Sequence, residues 1–305
     1  MARRSLFSLS RLPAKRRGFA ARTTRWGEST LEVARWARSR KASGRWALGG
    51  AVLGLLLGVV LFAPAAWLSN AVASASGQHL LLADARGTVW SGSAVVVLAG
   101  GPGSRDARSL PGRMEWSLRP VLIGGPGLLL LAKQACCLNG EVGLRLQPGL
   151  GRLRATLLSP PAWTGQWPNA WLGGFGTPLN TLQLGGALRL SSPGLMLEWV
   201  QGRLRVDGRA DIDLSDVSSR LTTLPRLGSY RLTLSGDPAQ EGAAQLQLST
   251  LDGALQLSGN GQFGGPHGVR FQGEARADAA DEASLNNLLN IIGRRDGARS
   301  VITIG

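Results

Sequence analysis

The stretch Trp46 to Leu68, WALGGAVLGLLLGVVLFAPAAWL, runs for twenty-three residues without an ionisable side chain. As a helix rising about 1.5 Å per residue it would extend about 35 Å, enough to cross a hydrocarbon core of about 30 Å with some tilt. The reading is a membrane span. Trp46 and Trp67 bracket it, where amphipathic indole rings settle at the two interfaces. Gly50, Gly54 and Gly58 have the spacing that lets a second helix pack closely, although a chain with 43 glycines produces such spacing by composition alone.

Charge gives the span a direction. Residues 1–45 hold thirteen Arg or Lys against Glu28 and Glu32, so +11 of the formal +15 lies ahead of the span. Positive flanks stay on the cytoplasmic side, so residues 69–305 are expected in the periplasm, carried by a single-pass inner-membrane protein. The tail is too basic and too poor in long apolar side chains to build a core, and is expected to be disordered. Its Lys and Arg suit an anionic leaflet, at about 1 kcal/mol each, better than they suit nucleic acid. Ala71-x-Ala73 and Ala73-x-Ala75 would suit a signal peptidase. The apolar run and basic tail are both longer than in a cleaved signal peptide, so an uncleaved signal anchor is expected.

After Leu68 the pattern changes to short runs of period two, punctuated by Gly and Pro. Met114, Trp116 and Leu118 alternate with Glu115 and Ser117; Val142, Leu144 and Leu146 alternate with Gly143 and Arg145; Leu153, Ala155 and Leu157 alternate with Arg154 and Thr156. The same grammar returns in TLQLGGALRL, GRLRVDGRADIDL, SYRLTLSG, AAQLQLST and GVRFQGEARA after residue 176. Parallel strands need crossovers of roughly a dozen residues or more, and the connections here are short. The fold class expected is mainly β: one N-terminal transmembrane helix, then a curved antiparallel meander in the form of an open barrel or groove, with a short C-terminal helix.

Residues 159–176, SPPAWTGQWPNAWLGGFG, form a Pro- and Trp-rich joint in which Pro160, Pro161 and Pro168 oppose a ladder. Trp163, Trp167 and Trp171 recur every fourth residue, a spacing suited to covering a sheet edge. In DEASLNNLLNIIGRR, Leu285, Leu288, Leu289 and Ile292 share one helical face. Asp281 or Ser284 can cap the start; Gly293 suits a left-handed end, with Arg294 and Arg295 against the negative end of the dipole. SVITIG reads as a final strand.

Residue patterns suited to chemistry are few. His79 and His267 are the two histidines, and neither has a Cys, Asp or Glu at metal-ligand spacing. There is no G-x-S-x-G elbow around Ser91 or Ser93, and GGPGSRD and PGLGR lack the features of phosphate loops. Asp207, Asp211, Asp213 and Asp216 invite thoughts of a divalent ion or paired catalytic carboxylates, but their scatter fits a solvated face. No catalytic, metal or cofactor site and no small-molecule substrate is expected. Cys136 and Cys137 are adjacent; a bond between them, intermolecular pairing and free thiols all stay open.

Five stretches taken in order carry a resemblance: ARGTVWSG at Ala85–Gly92, LPGRMEWSL at Leu110–Leu118, LGSYRLTL at Leu227–Leu234, FQGEARA at Phe271–Ala277 and LLNIIGRRDG at Leu288–Gly297. With the leading span they resemble the type II secretion system protein N family, inner-membrane components of the general secretion pathway in Gram-negative bacteria. The resemblance implies an accessory, non-enzymatic part of the machinery that exports folded proteins across the outer membrane. Its expected partners are inner-membrane lipids and other secretion components. It carries over no catalytic residues, and implies structural roles for Gly87, Trp90, Gly92, Trp116, Gly228, Tyr230, Phe271, Gly273, Gly293 and Arg294. Gly87 and Gly92 are expected to supply turns, Trp90 a large buried face, and Tyr230 a hydroxyl bond at the sheet margin. The alternative from a different class is a membrane-anchored carrier of lipid or another hydrophobic ligand, with GLLLLAK and SAVVVL lining a β-groove.

Overall fold

Pro64 interrupts the apolar stretch. The structure, a computed structural model, describes residues 46–305 except 159, 161, 178, 202, 237–243, 266 and 267. The expectations for residues 1–45, Pro161 and His267 therefore lie outside the described residues. Helix α1 covers residues 46–61, and α2 covers Ala65–Ala75. Between them Pro64 is extended, at φ −68° and ψ 148°, and bridges to Thr88. Proline has no N–H for a helical bond and pushes its predecessor out of the helical region. The freed carbonyl of Ala63 accepts from the Val89 amide at 2.9 Å. The single helix expected over 46–68 is thus two, and Trp67 belongs to the second. Among the described residues no helix is long and apolar enough to cross a membrane.

The chain divides into two units, Met1–Gly58 and Val59–Gly305. In the first, the described residues 46–58 are helical, and Trp46, Leu48, Leu53 and Leu55 are exposed. The second begins with the end of α1, α2, and the strands β1 (Leu80–Gly87), β2 (Ser91–Ala99), β3 (Ala107–Ser109), β4 (Met114–Val121) and β5 (Gly127–Lys133). Next come β6 (Glu141–Gly149), β7 (Arg152–Leu158), β8 (Gly165–Pro168), a 3-10 helix (Asn169–Phe175), α3 (Leu179–Leu182), β9 (Gly185–Val200) and β10 (Arg203–Ser218). The last part holds β11 (Gly228–Gly236), β12 (Ala244–Asp252), β13 (Leu255–Gly265), β14 (Gly268–Ala277), α4 (Glu282–Ile292), β15 (Arg294–Asp296) and β16 (Arg299–Ile304).

The sixteen strands of the described residues join one antiparallel sheet, in the order β1-β2-β4-β5-β6-β7-β9-β10-β11-β12-β13-β14-β16-β15, with β3 on β2 and β8 on β9. Directly opposed residues put their side chains on the same face, so the register can be followed across the sheet. Trp116 opposes Ala132 and Leu118 opposes Leu130; Leu130 opposes Leu144, Leu144 opposes Leu157, and Leu157 opposes Leu195. Farther on, Ile212 opposes Leu232, Leu232 opposes Leu248, and Phe271 opposes Ile304. One face is apolar from end to end. The other carries Glu115, Arg145, Arg154, Glu198, Asp213, Arg231 and Gln247.

The apolar face is turned inward by curling. β2 and β9 stand five places apart in the order, about 24 Å in a flat sheet. Yet Trp167 of β8 and Trp171 of the 3-10 helix pack on the cluster of Ala65, Leu82, Ala94, Val96, Leu110 and Trp116. The predicted joint is therefore partly a strand: Gly165–Pro168 pairs with β9, opposite Leu190 to Ala187, with Pro168 at its last position. A second cluster joins Leu182, Val217, Leu227, Tyr230, Leu255 and Ala275 to Leu285, Leu288 and Leu289 of α4.

Helix α4 follows the expected apolar face, but its ends differ from expectation. Asp281 is the N-cap residue without a side-chain cap bond, and Gly293 is extended at φ −163°. Arg294 is not in the last helical turn; it opens β15 and pairs with Val301. The chain leaves the helix directly into a hairpin, so no left-handed turn is required. Cys136 and Cys137 are disulfide-bonded to each other, with Cα atoms 3.7 Å apart. They sit in the turn between β5 and β6.

Candidate functional site

The residues singled out by motif lie in the sheet and the turns and helix end beside it. Gly87 closes the β1 end at φ +91°, opposite Gly92. A Cβ on Gly92 would run into the Arg86 carbonyl and meet the Trp116 ring at 2.6 Å, so two backbones and an indole converge there. Trp116 is buried and donates Nε1–H to the Val89 carbonyl at 3.2 Å. Trp90 is half-buried rather than enclosed, and donates to the Val60 carbonyl at 2.8 Å. These two indoles fasten the end of α1 and the β1–β2 turn to the sheet. The tether is legible only once Val60 and Trp90 are known to meet.

Tyr230 lies in the core rather than at the margin. It is 2 % exposed and donates to the Leu255 carbonyl at 3.0 Å. Burial first, then the nearby Asp252 charge, pushes its phenol above the usual range. Gly228 beside it has φ +156°, and a Cβ there would run into the Asp252 carbonyl. The Phe271 ring lies over Gly259 and Gly273 on the inward face, a position that side chains at those two glycines would deny it.

Asp211, Asp213 and Asp216 are each paired with an arginine. Arg231 grips Asp213 at 2.6 and 2.9 Å, and Arg209 grips Asp211 at 2.9 Å. Burial raises Asp211, but bonds from Arg209 and Thr233 outweigh it and hold the carboxyl below its ordinary range. Bonds from Arg113 and Arg86 likewise hold Asp84 low, and Arg226 holds Asp252 low. Among the described residues no group of His, Cys, Asp or Glu could hold a metal ion. His79 Nδ1 lies 3.1 Å from the Ala99 carbonyl, beside the Phe175 ring, in a packing role.

The inward face is unevenly covered. In β5, β6 and β9, Leu128, Leu144, Leu146, Leu195 and Leu197 are only half-buried, between the two enclosed clusters. α3, α4, the joint and the disulfide turn all lie at one end of the strands. A cavity of about 800 Å³ at that end is lined by Arg108, Leu179, Asn180, Ser219, Thr222 and Pro225. The opposite end is formed by the turns after β1, β4, β6 and β9.

Fold and site together define a class: an antiparallel β-meander body with an apolar inner face and an outer face on which several carboxylates are ion-paired. Residues 78–302 match the family model for type II secretion system (T2SS), protein N. The chain belongs to that family, and is a type II secretion component acting in protein transport. No curated protein and no solved structure matches the chain significantly.

Proposed function

We propose that this chain is a non-catalytic accessory subunit that docks other secretion components at the inner membrane. The family match over residues 78–302 carries this reading. In the proposed topology the basic tail is cytoplasmic, the apolar helix anchors the protein, and the β body is periplasmic. The run Trp46–Phe62 has seventeen uncharged residues, at the lower limit of about 17 for a span. Trp46, Leu55, Leu61 and Phe62 expose at least 60 % of their surface, an arrangement that calls for a non-aqueous environment. Trp46 would sit at the cytoplasmic interface; the break at Pro64 moves Trp67 out of the span and leaves Phe62 as the other boundary.

Two measurements test this. A periplasm-only reporter fused after Gly305 should be active and a cytoplasm-only reporter silent; the reverse pattern refutes the topology. Deleting the gene should impair export of folded exoproteins, and the protein should co-purify with other secretion subunits. Unchanged export together with no co-purification refutes the docking role.

A second reading, a carrier of lipid or another hydrophobic ligand, is favoured by the half-buried inward leucines of β5, β6 and β9. Native mass spectrometry of the protein purified in mild detergent should then show a bound lipid that Leu144→Glu and Leu197→Glu remove. Identical spectra from wild type and both variants refute it.

A further inference from the structure

The open end of the sheet presents large apolar side chains at its turn tips. Leu122 and Ile123, between β4 and β5, are 81 % and 87 % exposed, and Leu150, between β6 and β7, is fully exposed. Just inside this rim Leu153 opposes Trp199 on the apolar face, and both are exposed. Turn tips in water normally carry Gly, Asn, Asp or Ser, and three aliphatic side chains at neighbouring tips form an apolar edge. Arg145 and Gln147 of β6 reach across to the Ile123 and Gly124 carbonyls, so the longest of these turns is braced in place.

Beneath the tips, on the outer face, the charge is positive. Arg152 and Arg203 both oppose Val200, and Arg119 precedes the Leu122 tip by three residues. All three arginines are exposed. Apolar tips above a belt of arginine match the zone where acyl chains give way to anionic headgroups. The chain also enters the body at this end, since the Val60 and Ala63 carbonyls are held by Trp90 and Val89 of the β1–β2 turn.

We propose that this rim is a membrane-docking edge: the Leu122, Ile123 and Leu150 tips dip into the leaflet, and the arginines bind anionic headgroups. The proposal rests on the anchored reading above and adds a second, separate contact with lipid. It sets the open end of the apolar face at the bilayer surface.

The test uses the full chain in a Cys136→Ser/Cys137→Ser background, reconstituted into vesicles of phosphatidylethanolamine and phosphatidylglycerol. An environment-sensitive fluorophore is placed by Ile123→Cys, by Leu150→Cys or, at the opposite end, by Thr223→Cys. Labels at 123 and 150 should emit to the blue and lose intensity to quenchers on lipid acyl chains, and the label at 223 should respond only to aqueous iodide. Arg152→Gln with Arg203→Gln should weaken acyl-chain quenching in these vesicles and leave it unchanged in pure phosphatidylcholine. If the protein floats with the vesicles while all three labels respond alike to iodide, the edge is refuted and the anchor stands. If the tips are shielded from both quenchers, they are covered by protein and the lipid assignment is overturned. A chain that does not float removes the anchor and the edge together.

Discussion

Leu289→Ala should destabilise the β body by about 3 kcal/mol. Leu289 is 0 % exposed and sits with Leu285 and Leu288 against Leu255, Tyr230 and Ala275. The lost transfer free energy of a buried leucine side chain is roughly 2 kcal/mol, and a cavity that its neighbours fill only partly adds about another 1 kcal/mol. Collapse is limited on both sides. The sheet beneath is fixed by its ladder, and the helix above is tied by the Ser300 hydroxyl, which donates to the Leu289 carbonyl at 2.6 Å. Urea unfolding of the detergent-solubilised full chain, followed by far-UV circular dichroism, should show the midpoint moving down by about 1 M, at an m-value of about 3 kcal/mol per M. Ile291→Ala, on the exposed side of the same helix, should cost less than about 1 kcal/mol. Equal shifts for the two variants, or none for Leu289→Ala, would refute the packing of α4 against this sheet.

Gly228→Ala should cost about 3 kcal/mol in the same assay, because φ is +156° and the clash is with the backbone Asp252 carbonyl; a neutral result would refute that close approach. Tyr230→Phe should cost about 1 kcal/mol at neutral pH through loss of the bond to Leu255. Since the folded phenol is raised, its contribution is complete below the ordinary value of about 10 and is lost as pH rises through that value toward the folded one. The wild-type melting temperature should therefore fall more steeply above that pH than the variant's, and parallel curves would count against a buried phenol. Asp213→Asn should cost less than about 1 kcal/mol, as its pair with Arg231 is partly exposed, and should leave exoprotein export intact; loss of export in a well-folded variant would give that carboxylate a functional role.

The sheet was legible because its signal is local. Met114, Trp116 and Leu118, then Val142, Leu144 and Leu146, then Leu153, Ala155 and Leu157 fall on one face, as their alternation requires. The short connections likewise led to antiparallel neighbours. What escaped was set by distant partners. Hydropathy is continuous through Pro64 and hides the break that proline itself makes, and Thr88 and Val89 then hold the freed chain. Gly293 resembles a helix stop, but the hairpin of β15 and β16 draws it straight. Tyr230 alternates like any strand residue, and its burial depends on α4, which follows it by more than fifty positions. The rim could be seen only after turns from separate parts of the sequence had been brought to one end of the strands.

Buried residues of the sheet gather in two separate clusters. One is built from α2 and the first strands, the other from α4 and the last strands, and they share no buried residue. Each end is fixed by a helix laid on the apolar face, while Leu144, Leu146, Leu195 and Leu197 between them are half-buried. Apolar area that stays wet contributes nothing to folding, whereas covering it yields about 25 cal/mol per Å². Amides of β6 and β9 beside these leucines should therefore exchange with solvent faster than those of Leu255 and Ala275, which are 2 % and 0 % exposed. A hydrophobic occupant would add most stability to those same strands.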